Sequence, residues 1–137
     1  MVLPMTAKRL FDTCVFIHHL RGKSPEATQL IRQAISGTYP AAFSIITDAE
    51  LWYAVKNDSD SHAHRLLLSK LTRLPLNLTI ARIAGKMRRV YRNRGLKLPD
   101  AIIAATAEYH NLPLYTTNVK DFQFISTITV MPYSATL

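Results

Sequence analysis

The chain has 137 residues, 48% of them hydrophobic, and its 17 Lys and Arg against nine Asp and Glu give a formal net charge of +8. This length fits one compact domain, no apolar run approaches the about 18 residues of a membrane span, and Lys8 and Arg9 interrupt an N-terminal segment already too short for the apolar part of a signal peptide. We therefore expect one domain over residues 1–137 that is not inserted in a membrane. The single Cys14 cannot form an internal disulfide, which fits the reducing cytoplasm, and we expect the protein to work there.

Taken in chain order, short strand-like apolar runs alternate with longer helical ones. The pattern predicts strands at residues 8–11, 40–46, 74–78, 112–116 and 127–131, and helices at residues 13–21, 25–37, 47–57, 59–72, 79–95 and 99–110. Ser24 and Pro25 mark the start of the second helix, and Thr47 and Thr79 are the expected N-caps of the third and fifth helices. The alternation predicts an α/β fold with a mostly parallel sheet that helices cover on both faces.

Polar side chains fall at the predicted ends of the strands. Asp12 follows the first strand directly, and Glu50 and Asp100 lie in the first turns of the helices predicted to begin near residues 47 and 99. Asn118 and Asp121 come just after the fourth strand. Because open α/β sheets bind their ligands at the carboxyl ends of the strands, we expect these side chains to line one crevice.

Carboxylates that converge in one crevice repel one another, so one of them takes up a proton unless a cation is bound. Hard oxygen ligands suit Mg²⁺ or Mn²⁺, and either ion can lower the pKa of a bound water for in-line attack on a phosphodiester. Metal-assisted hydrolysis of a nucleic acid is therefore the leading hypothesis from the residues themselves.

Each acidic residue also has a structural interpretation. Thr47 and Glu50 have the spacing of a capping box, in which the glutamate reaches back to the N-cap. Asp100 would stabilise any helix N-terminus, and Asp121 could cap a turn. Asp12 is the hardest to explain in this way, because a carboxylate at the end of a buried strand costs desolvation energy unless something compensates for it.

Four segments of the sequence carry a family resemblance. They are LFDT at residues 10–13, IITDAEL at residues 45–51, LPDAIIAATA at residues 98–107 and LYTTNVKDF at residues 114–122. Together they resemble the PIN domain, in particular the VapC-type toxins of bacterial toxin–antitoxin pairs. The resemblance implies a Rossmann-like five-stranded sheet of order 3-2-1-4-5. It also implies an endoribonuclease that depends on Mg²⁺ or Mn²⁺ and cleaves structured RNA such as tRNA or rRNA.

The resemblance assigns roles to the acidic residues. It implies that Asp12, Glu50 and Asp100 bind the metal ion. The family's fourth acidic position is occupied here by Asn118, a neutral ligand or hydrogen-bond donor. Asp121 would then supply the missing charge, directly or through water.

The resemblance also implies supporting residues and partners. The hydroxyl groups of Thr13 and Thr116 would hold the carboxylates by hydrogen bonds. The position after the first Asp-Thr pair, often Asn or Ser in relatives, is Cys14 here. VapC-type toxins usually dimerise and are neutralised by a small antitoxin protein, so we expect a homodimer and such a partner.

Positive charge is concentrated in the second half of the chain. Residues 61–99 contain ten Lys or Arg and no acidic residue. Such a field attracts polyanions, although a merely solvated basic surface is the simpler alternative. We expect the helix predicted at residues 79–95 and the segment that follows it to bind the RNA backbone. The residues involved are Arg82, Lys86, Arg88, Arg89 and Arg92.

Two questions stay open at this point. Asn118 leaves room for a catalytically inactive PIN-like module that binds nucleic acid or protein, although carboxylates held together without a metal would carry a standing electrostatic cost. The aromatic residues on the predicted elements are expected to belong mainly to the core; they are Phe11, Phe16, Trp52, Tyr53 and Phe122. The alternative for this region is a dimer face that includes Leu51, Trp52 and Val55.

Overall fold

The computed structural model describes residues 6–136, so the first five residues and the last residue of the expected domain lie outside the described residues. Within residues 6–136 the chain forms five strands: β1 (Leu10–Phe11), β2 (Ala42–Ser44), β3 (Thr72–Leu74), β4 (Leu114–Thr116) and β5 (Val130–Pro132). The six helices of this part of the chain are α1 (Thr13–Leu20), α2 (Pro25–Ser36), α3 (Ile45–Tyr53), α4 (Asp58–Leu68), α5 (Leu78–Val90) and α6 (Leu98–His110). Two 3₁₀ turns cover Arg92–Arg94 and Val119–Asp121. None of the helices described is long and apolar enough to cross a membrane.

The strands form one sheet of order β3-β2-β1-β4-β5, in which every neighbouring pair is parallel. Leu10 of β1 pairs with Ala42 on one side and Leu114 on the other, so β1 is central. This topology confirms the predicted fold and strand order. It also places the carboxyl ends of all five strands along one edge.

The two faces of the sheet carry separate hydrophobic clusters, because successive strand residues point to opposite faces. Phe11 packs edge-on against Phe16, and Phe16 packs in the same way on Phe43, with ring centroids 6.0 and 5.7 Å apart. This cluster lies under α1 and α2. On the other face Leu10 and Leu114 pack with Ile103 and the other buried residues of α5 and α6.

Several helix boundaries differ from those predicted. The N-cap of helix α3 lies three residues earlier than predicted: it is Ser44 rather than Thr47, and its hydroxyl accepts a hydrogen bond from the Ile46 N–H (3.1 Å). Asn77 rather than Thr79 caps α5, accepting from the Ile80 N–H (2.8 Å). In both cases two capping residues lie close together in sequence, and local pattern alone does not choose between them.

Strand β3 also lies earlier than predicted, at Thr72–Leu74 rather than residues 74–78, and α4 ends correspondingly sooner at Leu68. The position of β3 is tied to α3, since Arg73 donates two hydrogen bonds to the Asp48 carboxylate (2.7 and 2.8 Å). A strand of three residues carries too little sequence pattern to fix its pairing register, so the register of β3 is set by tertiary contacts.

Candidate active site

A cavity of about 570 Å³ opens at the edge of the sheet where β1, β2 and β4 end. Asp12, Glu50, Asp100 and Asn118 all line it. The structure therefore brings four of the five predicted polar residues into one space. Asp121 does not line the cavity and is exposed in the turn Val119–Asp121.

Asp12 is positioned by the end of β1 and the start of α1, for which it is the N-cap. Its side chain is only 4% exposed. One carboxylate oxygen accepts from the Thr13 N–H (2.8 Å) and the other from the Thr116 hydroxyl (2.7 Å). Burial raises the pKa of Asp12, and the hydrogen bonds from Thr116 and Thr13 oppose that rise. The carboxylate is thus held in one orientation at the end of the central strand.

Glu50 is oriented by a hydroxyl group from α1. The Thr13 hydroxyl donates a hydrogen bond to Glu50 Oε1 (2.7 Å), and its oxygen lies 2.9 Å from the Thr47 hydroxyl oxygen. Because α3 begins at Ile45, Glu50 lies in the second turn of the helix and not the first. The capping-box interpretation of Thr47 and Glu50 is therefore wrong, and the side chain is directed into the cavity instead.

Asp100 lies in the first turn of α6, after Pro99. Within residues 6–136 its carboxylate accepts no hydrogen bond, unlike those of Asp12 and Glu50. The pKa of Asp100 is raised to about 6, first by burial and then by the negative charges of Asp12, Asp121 and Glu50, while Lys97 opposes the rise. The acidic groups are therefore near enough for their charges to repel, and Asp121 contributes although it lies outside the cavity.

These residues can hold a divalent cation, although they do not form a closed cage. Among residues 6–136 no three Asp, Glu, His or Cys side chains are grouped closely enough to hold one ion between them. Mg²⁺ does not need such a cage, because it keeps several waters and usually binds through one or two carboxylates. The oxygen donors of Asp12, Glu50, Asp100 and Asn118 suit a hard cation, and its charge would offset the repulsion at Asp100.

Sequence reasoning missed a hydrogen-bonded chain behind Asp12. The Cys14 thiol lies 3.6 Å from Asp12 Oδ2, and the Tyr133 hydroxyl lies 3.5 Å from Cys14 Sγ and 2.8 Å from His18 Nδ1. Burial raises the pKa of Cys14, so the thiol stays protonated and can donate to Asp12. Tyr133 is 119 residues from Cys14 in sequence, and no local signal links them.

The aromatic residues of the predicted core divide into two groups. Phe11, Phe16 and Phe122 are fully buried, as predicted. Trp52 and Tyr53 are 60% and 93% exposed, so their assignment to the core was wrong. Thr47 and Leu51 are the residues of α3 that face inward, and helical periodicity then turns residues 52 and 53 outward. Leu51, at 1% exposed, is also unavailable for the alternative dimer face.

The five predicted RNA-binding residues are all exposed, and none of them lines the acidic cavity. Helix α5 packs against α6, and the turn Arg92–Arg94 connects them, so the C-terminal end of α5 lies beside the end of α6 that carries Asp100. Arg88 is fixed there, since its Nε donates to the Leu96 carbonyl (3.2 Å). The other exposed predicted residues of α5 and of the turn that follows it are Arg82, Lys86, Arg89 and Arg92.

Comparison with known proteins identifies the family. A family model described as the PIN domain matches residues 9–126. Ribonuclease VapC19 of Mycobacterium tuberculosis is 35% identical over 116 residues, which cover 83% of this chain and 91% of that protein. The chain belongs to the PIN-domain family, in its VapC group of ribonucleases.

Solved structures agree with the fold of this PIN domain. A toxin–antitoxin complex from Klebsiella pneumoniae contains a chain with 33% sequence identity and a TM-score of 0.73, with 93% of this chain and 98% of that chain covered. VapBC2 from Rickettsia felis, bound to a DNA fragment from its promoter, has a TM-score of 0.80 at 20% identity, with 92% and 98% covered. The expected Rossmann-like PIN fold is confirmed.

Proposed function

We propose that this PIN domain is the toxin of a toxin–antitoxin pair and acts as an Mg²⁺- or Mn²⁺-dependent endoribonuclease on structured RNA such as tRNA or rRNA. The observation that carries the proposal is the cavity shared by Asp12, Glu50 and Asp100, in which burial, together with the negative charges of the neighbouring acids, raises the pKa of Asp100 to about 6. Perturbed carboxylates in a cleft are typical of a functional site. The 35% identity to a protein named a ribonuclease supports the reaction class.

In this mechanism each side chain has a defined task. Asp12, Glu50 and Asp100 bind the ion, and Asn118 completes its surroundings or positions a water molecule. Asp121, which lies outside the cavity, contributes negative charge or acts through a bridging water. When bound, the ion supplies Lewis-acid chemistry, since it lowers the pKa of a bound water and stabilises charge that develops on the phosphodiester.

The hydroxyl groups around the cavity prepare the carboxylates for this task. Thr116 and the backbone N–H of Thr13 fix both oxygens of Asp12, and the Thr13 hydroxyl fixes Glu50. These bonds are already made before substrate arrives, so little reorganisation is needed when the RNA binds. Asp100 has no such support among the described residues, and its geometry therefore depends most on the bound ion.

The surroundings of the enzyme are part of the proposal. The exposed basic residues of α5 and the turn that follows it contact RNA phosphates and guide the backbone to the cavity. A small antitoxin blocks the protein in the resting cell, an assignment supported by the likeness to the toxin–antitoxin complex from Klebsiella pneumoniae. The protein works as a homodimer in the cytoplasm.

The test is cleavage of total cellular RNA by purified protein in Mg²⁺ or Mn²⁺, compared with EDTA. Asp100→Asn and the matched control Asp58→Asn are purified in parallel from the same host, since Asp58 is an exposed acid at the start of α4. We expect discrete fragments from wild type and Asp58→Asn that require metal and are absent with Asp100→Asn. Equal cleavage by all three proteins would indicate a contaminating nuclease and contradict the assignment.

One observation favours a second candidate, an inactive PIN-like module that binds nucleic acid or protein. Asn118 occupies the position where the resemblance places a fourth acid, and it lines the cavity without adding charge. If neither wild type nor Asp58→Asn cleaves RNA once antitoxin is shown to be absent, this second function replaces the first.

A further inference from the structure

One face of α3 forms a wall of the acidic cavity. Ile46, Ala49, Glu50 and Tyr53 recur at the spacing of a helical stripe, and all four line the cavity. Tyr53 therefore stands one helical turn beyond Glu50, on the same face. Three residues advance about 4.5 Å along a helix axis, and the side chains of Glu50 and Tyr53 both line the cavity.

The Tyr53 side chain is almost fully exposed to solvent, although it is a large aromatic group. It is 93% exposed, and within residues 6–136 its hydroxyl makes no hydrogen bond. The ring contributes little to packing, so the stability of the fold does not account for it. Trp52 does not share the position, because it lies beside Arg65 and Leu68 in a separate depression against α4.

The lining of the cavity thus combines two chemically different kinds of side chain. Asp12, Glu50 and Asp100 carry carboxylates, whereas Tyr53, Ile17, Ile46 and Ala49 are aromatic or apolar. A nucleotide has the same division, with a phosphate that a metal and carboxylates can engage and a flat base that stacks on aromatic side chains. The volume of about 570 Å³ lies in the range of sites that enclose small molecules.

We propose that Tyr53 is a stacking platform for an unpaired nucleobase adjacent to the phosphodiester that is cleaved. The inference rests on the proposed function and makes it more specific, because a base inside a duplex already has both faces stacked and cannot offer one to Tyr53. The substrate must therefore present an unpaired base at the cleavage site, as loops, bulges and single-stranded ends do. Tyr53 selects this feature, while the basic surface of α5 contributes affinity that does not depend on base pairing.

The test separates binding from cleavage by using the Asp100→Asn protein, which is expected to leave RNA intact. Fluorescence anisotropy measures the affinity for a short mixed-sequence single-stranded RNA and for the duplex of the same sequence. Tyr53→Ala, Tyr53→Phe and Tyr109→Ala are each added to this background. Tyr109 is the matched control, because it is also an exposed tyrosine (46%) but lies at the opposite end of α6 from Asp100.

We expect Tyr53→Ala to weaken binding of the single-stranded RNA by about 5- to 150-fold, the range found when a base-stacking aromatic is removed. Binding of the duplex should change by less than about 2-fold, because it depends on phosphate contacts that the variant keeps. Tyr53→Phe should keep the single-strand affinity because it keeps the ring, and Tyr109→Ala should leave both affinities unchanged. Since Tyr53 is almost fully exposed, its variants are expected to fold normally, which circular dichroism and thermal melting check.

Other outcomes are informative in opposite directions. Equal single-strand affinities for Tyr53→Ala and Tyr109→Ala would overturn the inference even if the wild type cleaves RNA. If Tyr53→Ala instead changes the oligomeric state on gel filtration and leaves RNA affinity intact, the ring belongs to a protein contact and the inference is wrong. Selective loss of single-strand binding in the Tyr53→Ala variant, together with a wild type that cleaves no RNA, would support the stacking platform and contradict the proposed nuclease function.

Discussion

At the residue scale, the three carboxylates of the cavity differ in how they are held. Asp12 accepts from a backbone N–H, a hydroxyl and a thiol, and Glu50 accepts from one hydroxyl. Asp100 has no comparable donor among residues 6–136, and its pKa is raised to about 6. The electrostatic cost of the arrangement is therefore concentrated at Asp100, where a cation or a proton has most to offset.

This concentration predicts a pH-dependent difference between wild type and Asp100→Asn. In the folded protein the pKa of Asp100 is about 6, above its ordinary 3.8. Between about pH 4 and 6 the folded state therefore binds more protons at this site than the unfolded chain does, so the site's contribution to the free energy of unfolding falls as pH rises. In EDTA, we expect Asp100→Asn to gain stability relative to wild type from pH 4 to pH 7.

Chemical denaturation at several pH values measures this difference. Comparing the two proteins removes the contribution of histidines whose pKa values are lowered by burial, which would act in the opposite direction. A difference in unfolding free energy that stays constant from pH 4 to pH 7 would contradict the raised pKa of Asp100 in the folded protein.

At the scale of the elements, the sequence predicts some features and leaves others undecided. The end of β1 just before Asp12, the start of α6 near Pro99 and the end of β4 at Thr116 were placed correctly, because strong apolar runs meet a clear boundary there. The starts of α3 and α5 were not, since each has two nearby residues able to cap it. Strand β3 is fixed by tertiary contacts such as the Arg73–Asp48 pair.

The same distinction applies to the candidate site. Asp12 and Glu50 could be proposed from their place after β1 and β2, because parallel strands end along one edge, whereas Asp100 follows helix α5 and was proposed from its place at a helix start and from the family resemblance. Their orientation could not, since it depends on contacts such as Thr13 to Glu50 and Thr116 to Asp12, which join residues 37 and 104 positions apart. Tyr53 did leave a signal, namely its spacing of one helical turn from Glu50, but a core assignment was equally consistent with that pattern.

The N-cap of α3 gives a direct prediction at this scale. Ser44 is buried at the end of β2 and its hydroxyl accepts from the Ile46 N–H. Ser44→Ala should lower the free energy of unfolding by about 1 kcal/mol, because an N–H at the helix start loses its acceptor. Urea denaturation measures the change. A Ser36→Ala variant serves as control, since Ser36 is exposed and lies at the end of α2; equal effects of the two changes would contradict the cap assignment.

Helix α5 gives a second prediction. Arg88 and Arg89 lie in its last turn, at the end nearest α6 residue Asp100. Replacing both by Ala should weaken RNA binding across sequences and lower the slope of log affinity against log salt by about 1 to 2, since up to two phosphate contacts are lost. The measurement is RNA affinity of the Asp100→Asn background over a salt series.

A matched pair of charges is available as the control for that experiment. Lys23 and Arg32 are exposed just before and within α2, which packs on the opposite face of the sheet from α5. Replacing these two by Ala removes the same net charge. If both double variants change the salt slope equally, the effect reflects overall charge and not a binding surface on α5.

At the scale of the whole molecule, a metal that binds only the folded cavity stabilises the entire fold. The gain is about 2.7 kcal/mol when the free ion is at 100 times its Kd. Thermal melting at neutral pH should therefore show a higher Tm for wild type in Mg²⁺ or Mn²⁺ than in EDTA, and a smaller rise for Asp100→Asn. An identical rise in the two proteins would indicate that the ions act elsewhere on the molecule.

The central position of β1 has a consequence for the time at which activity can arise during protein synthesis. Asp12 is made early, yet its strand pairs with Leu114 on one side and its carboxylate is held by Thr116, 104 residues later in the chain. At ordinary translation rates that interval lasts about 5 to 20 seconds. An unfinished chain thus carries the acidic residue without the strand and the hydroxyl that orient it. A nuclease built in this way stays unassembled while it is still attached to a ribosome, surrounded by the RNA it is proposed to cut.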